Sequence, residues 1–122
     1  MSNFAEAKGV RDYIVYVHTR VKLIQANILS VEDNQYIFYL ELSKHIKKFA
    51  STHKLFFGFL LGKYDSNFLM NMLGCSIREV FRFLEKQRKK FVNEIQAKEN
   101  ELFSLYPFTG EYMWLHERSI IS

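Results

Sequence analysis

Asp65-Ser-Asn-Phe-Leu-Met-Asn-Met-Leu-Gly74-Cys-Ser76-Ile-Arg-Glu-Val-Phe-Arg-Phe-Leu-Glu-Lys-Gln-Arg-Lys-Lys-Phe91 is the stretch whose reading decides the fold. It predicts two helices around a tight turn. Asp65 or Ser66 is placed to cap a short helix with Phe68, Leu69, Met72 and Leu73 inward, and Gly74 stops it. Ser76-Ile77-Arg78-Glu79 is a capping box: the Ser76 hydroxyl takes the Glu79 amide, and the Glu79 carboxylate reaches back to the Ser76 amide. The helix it opens can run through Ile95 towards Phe103, with Pro107 beyond it as a stop.

Upstream, Val10 to Phe57 contain neither Gly nor Pro, which disfavours the turns of a β-meander. Val10, Ile14, Val17, Val21, Ile24 and Ile28 step by four and three, a helical seam. Phe38, Leu42, His45 and Phe49 form a second seam, flanked by Tyr39, Ile46 and Ala50. Ser30 is read as the N-cap of that second helix, with Glu32 and Asp33 in its first turn and Lys44, Lys47 and Lys48 near its end. A third helix carries Leu55, Phe56, Phe59 and Leu60, capped by Ser51 or Thr52 and ended near Gly62. The expectation is an all-α domain of four or five helices: a hairpin over 1–53, a helix-turn-helix-like segment over 54–105 and an aromatic tail over 106–122. The alternative is α+β. Asp12–His18 and Tyr36–Leu42 are rich in β-branched and aromatic residues, Glu32 to Gln35 could turn a hairpin, and the strands would then lie at about 12–42.

Composition narrows the function classes. The chain has 122 residues, is 48% hydrophobic and 16% aromatic, and so can fold around one modest core. No apolar run approaches the roughly 18 residues of a membrane span, and the N-terminus lacks the apolar stretch of a signal peptide. Cys75 is the single cysteine, which excludes an intrachain disulfide and points to a reducing, cytoplasmic setting. The net charge is +4. Between Arg78 and Lys90 six basic residues stand against Glu79 and Glu85, so this segment carries the whole excess. A basic stripe confined to one helix points to a polyanionic partner.

Around the long helix, at about 100° per residue, Arg78, Arg82, Glu85 and Lys89 share a strip. Ile77, Val80, Leu84, Phe91 and Ile95 lie opposite, towards the core, with Gln87 among them. Arg78 and Arg82 sit in the leading turns, where a helix laid in the major groove reaches base edges. Lys86, Lys89 and Lys90 are placed for phosphates, and Lys63, in the turn before the preceding helix, can add another phosphate contact.

Leu73-Gly74-Cys75-Ser76, followed by Val80, Leu84 and Lys89-Lys90-Phe91, resembles the helix-turn-helix of LuxR-type response regulators and of sigma-factor region 4. The likeness covers about residues 55–91, under a third of the chain. It implies that Arg78 and Arg82 face the groove and that Ser76 caps the helix or meets a phosphate. The sequence departs from those families at Ile77 and Phe81, which occupy usually polar positions, and at Met70 and Asn71, where Ala usually permits close helix approach. Glu85 stands inside the contact strip, where it would repel phosphate.

No nucleotide-binding loop, hydrolase elbow or metalloprotease motif occurs. His18, His45, His53 and His116 lack metal-site spacing, and His45 reads as a packed core residue. No metal, cofactor or catalysis is expected. The leading expectation is a small DNA-binding regulator that acts as a homodimer. The alternative is a helical-bundle adaptor, chaperone or inhibitor that binds a protein through aromatic anchors, with Phe81, Tyr112 and Trp114 as candidates.

Overall fold

The computed structural model describes residues 2–115, with side chains described from Gly9 onward. Five helices follow one another: α1 (Ser2–Gln25), α2 (Asp33–Thr52), α3 (Lys54–Leu60), α4 (Ser66–Leu73) and α5 (Ile77–Leu105). No strand occurs among the described residues, so the β-hairpin alternative over 12–42 is not what forms. Burial of a continuous seam on each long helix overrides the β propensity of those two segments. His116 lies outside the described residues.

α1 and α2 pair antiparallel. Tyr16 meets Tyr39, His18 meets Ser43 and Gln25 meets Tyr36. α5 lies along both helices, again antiparallel to α2: Phe49 packs on Phe91 at one end, while Phe38 and Phe103 share Trp114 at the other. The core is the buried set from these seams, including Val10, Tyr13, Val17, Phe38, Leu42, Ile46, Phe91 and Ile95. The short α3 and α4 pack at the end of the bundle that holds the start of α5.

Several local expectations are corrected. The first seam stops short of Ile28, because Asn27 takes the left-handed conformation at φ 60°. The Ile28 amide then bonds back to the Leu23 carbonyl at 2.9 Å and the Asn27 amide to Ile24 at 3.1 Å, a Schellman ending that leaves Ile28 exposed. Ser30 does not cap α2. Glu32 stands at that position, and its carboxylate is taken by the Thr109 amide (2.9 Å) and hydroxyl (2.8 Å) instead. Ser51 and Thr52 do not cap α3 either. They belong to the end of α2, where their hydroxyls donate to the Lys48 and Phe49 carbonyls, and His53 alone separates the two helices. His45 is half-buried and Ile46 takes the core position beside it.

Gly58 is required by close approach: a Cβ there would lie 2.2 Å from the Tyr64 ring. The tail 106–115 folds back over α1, α2 and α5. Phe108, Tyr112 and Trp114 enter an edge-to-face lattice with Phe38 and Phe103. Polar ties hold it: Asn34 donates to the Pro107 carbonyl at 2.9 Å, and buried Gln35 donates to the Glu111 carbonyl at 2.7 Å.

Candidate nucleic-acid interface

α4, Gly74-Cys75-Ser76 and α5 form the expected two-helix unit, and each part has a physical reason. The Asp65 carboxylate accepts from the Phe68 amide at 2.8 Å and caps α4. Gly74 turns the chain at φ 64°, a conformation that costs a residue with Cβ, and the Cys75 amide returns to the Met70 carbonyl at 3.2 Å. The capping box is formed. The Ser76 hydroxyl accepts from the Glu79 amide at 3.3 Å and donates to its carboxylate at 3.0 Å, while the Ser76 amide donates to that carboxylate at 3.3 Å. Ser76 is thereby occupied as a cap.

The predicted core side of α5 is buried at Val80, Leu84, Phe91 and Ile95, with Gln87 half-buried. Two inward expectations fail. Ile77 is 40% exposed. On α4 only Leu69 is buried, and Phe68, Met72 and Leu73 remain open to solvent. A two-turn helix docked along one face on α5 has nothing to cover its opposite face.

Arg78, Arg82, Lys86, Lys89 and Lys90 are all exposed on α5, and none forms an ion pair among the described residues. Arg78, Arg82, Lys86 and Lys89 line one open groove of about 630 Å³, together with Ile77, Phe81 and Glu85. Lys90, Ser76 and Lys63 lie outside that lining. The Lys63 ammonium sits 5.4 Å from the centre of the Tyr64 ring, which stacks on Phe68. Glu85 is neutralised within the protein: Arg88 holds it through two bonds, at 2.7 and 3.1 Å, and keeps its carboxyl below the usual range. The repulsion anticipated from Glu85 is therefore largely offset, and four cations face outward together.

The other proposed anchors are placed differently. Phe81 is 38% exposed beside the strip. Tyr112 and Trp114 are half-buried in the aromatic lattice, and the Tyr112 hydroxyl donates to Glu99 at 2.7 Å. Glu99 went unnoticed in sequence reasoning. Only 2% exposed, it accepts through Oε2 from Tyr13 (2.6 Å), Tyr112 and the Leu115 amide (3.1 Å). Burial first, then the Glu99 charge, raises the Tyr13 pKa well above its ordinary value; burial, then Tyr13 and Glu99, does the same for Tyr112. The signal available was a carboxylate standing between Ile95 and Leu102 on the apolar stripe of α5.

No group of three or more potential ligands for a metal ion occurs among the described residues, and no helix among them is long and apolar enough to cross a membrane. Comparison of the chain with family models, curated proteins and solved structures finds no match.

Proposed function

We propose that this protein binds duplex DNA through α4 and α5 and acts as a small regulator. The observation that carries the reading is the set of four cations, Arg78, Arg82, Lys86 and Lys89, without an ion pair among the described residues, on the exposed strip of a capped helix that follows a tight glycine turn. A helix presented in this way can lie in the major groove with Arg78 and Arg82 at base edges and the lysines on phosphates. At 1.5 Å per residue α5 is long enough for its first turns to enter the groove while the remainder stays in the bundle. Dimerisation, natural for a reader of paired half-sites, would use another face, because two copies of this strip repel. A reducing, cytoplasmic setting accords with the single cysteine.

The test is fluorescence anisotropy of labelled duplex DNA titrated at about 50 and 200 mM salt. Binding should fall steeply across that range through counterion release, and Arg78→Ala/Arg82→Ala should abolish it while leaving the fold intact. Absence of binding at the lower salt would sink the proposal.

A further inference from the structure

Phosphate and base contacts leave one feature of this surface unused. Ile77 and Phe81, one turn apart on α5, share the groove with the four cations and are 40% and 38% exposed. Phe68 and Met72, one turn apart on α4, are 40% and 60% exposed, and Leu73 joins them at the turn. Ile77 and Phe81, large apolar side chains set among cations on one helix face, make a strip that gains by being covered. We propose that this face docks an acidic amphipathic helix of a partner protein.

Charge selects that occupant. A second copy of this chain would bring a second basic strip against the first, and like charges so juxtaposed oppose pairing. A partner helix with apolar residues at i, i+3, i+4 and i+7 can cover Ile77 and Phe81, and Glu or Asp along its flank then meets Arg78, Arg82 and Lys86. Glu85 does not oppose it, being held by Arg88. The same cations serve DNA in the reading above. If that reading holds, the partner helix and the duplex exclude one another, which makes the face a point of regulation; the docking itself does not depend on it.

The experiment uses a fluorescein-labelled peptide with Leu at i, i+3, i+4 and i+7 and Glu and Ala elsewhere, beside a scrambled peptide of the same composition. The patterned peptide should bind the full chain, and Phe81→Ser should weaken it about tenfold. Ile77→Ser, at a second exposed site, should weaken it similarly, with the far-ultraviolet circular dichroism of both variants unchanged. Equal binding of the scrambled peptide, or an affinity indifferent to both substitutions, would show attraction by charge alone and overturn the proposal. So would self-association in sedimentation that Phe81→Ser abolishes, since a second copy would then cover the face. Peptide binding that depends on Phe81, with no duplex binding at low salt, upholds the docking face and removes the DNA reading. Displacement of labelled duplex by unlabelled patterned peptide upholds both.

Discussion

The two ends of this bundle treat polar and apolar groups in opposite ways. At the tail end, Glu99, Tyr13, Gln35 and Tyr112 are drawn into the interior and satisfied there by hydrogen bonds. At the α4–α5 turn, Phe68, Met72, Ile77 and Phe81 are left in water, the last two beside cations that have no ion-pair partner among the described residues. A buried carboxylate is tolerated only where donors converge on it, so the first end is built for order. Exposed apolar and cationic side chains contribute little to folding and are available for binding, so the second end is the one that can lose residues without losing the fold.

The largest effect should come from breaking the first end. Glu99→Ala leaves the Leu115 amide without its acceptor and the Tyr13 and Tyr112 hydroxyls with only each other, and should cost about 3 kcal/mol, read from denaturant unfolding. A loss below about 1 kcal/mol would mean that the tail contributes little to stability and that the contrast between the ends is false.

Next comes the turn itself. Ser76→Ala removes the hydroxyl that accepts the Glu79 amide and should cost about 1 kcal/mol. Because the start of α5 would then fray, amide exchange should quicken at the first turn of α5 and remain slow around Ile95. Uniform quickening would show that the two ends unfold together rather than separately.

Histidine titration sharpens the same contrast more gently. Burial, then Lys47 and Lys22, lowers the pKa of His18, whose Nδ1 lies 2.6 Å from the Ser43 hydroxyl. Burial, then Lys98, lowers that of His45, with Glu94 opposing. Both groups bind protons more readily in the unfolded chain. Their contribution to stability is therefore complete above the ordinary histidine pKa of about 6.5 and is lost as pH falls through the lower folded-state values. The unfolding midpoint in urea should decline from pH 7 towards 5, and His18→Gln should flatten part of that decline. A midpoint unchanged over this range would remove the assignment.

The smallest change in stability belongs to the exposed end. Arg82→Ala and Phe81→Ser should each shift unfolding by no more than about 0.5 kcal/mol. A shift of about 2 kcal/mol in either would place that side chain in the folding core and undo the comparison from the other side.

Much of the architecture was legible because it is local. The seam from Val10 to Ile24, the α4 start at Asp65 or Ser66, the stop at Gly74 and the Ser76–Glu79 box depend on residues within a turn or two of each other. The basic strip was legible for the same reason, since helical periodicity alone puts Arg78, Arg82 and Lys89 side by side. Where expectations failed, the missing fact was a distant neighbour. Glu32 is spent on Thr109, 77 residues away, rather than on the N-terminus of α2. Ile77, Met72 and Phe68 look like core residues by period, yet no described element comes to cover them.

By itself, the sequence determined the Gly74 turn, the Ser76–Glu79 cap and that one helix carries the excess charge, because propensity, capping and periodicity act between near neighbours. Only the tertiary structure decided that Glu99 lies inside, that Glu32 is taken by Thr109, and that Ile77 and Phe81 stand exposed beside the cations. Those facts depend on which surfaces meet, and burial is a property of the assembled chain rather than of any segment of it.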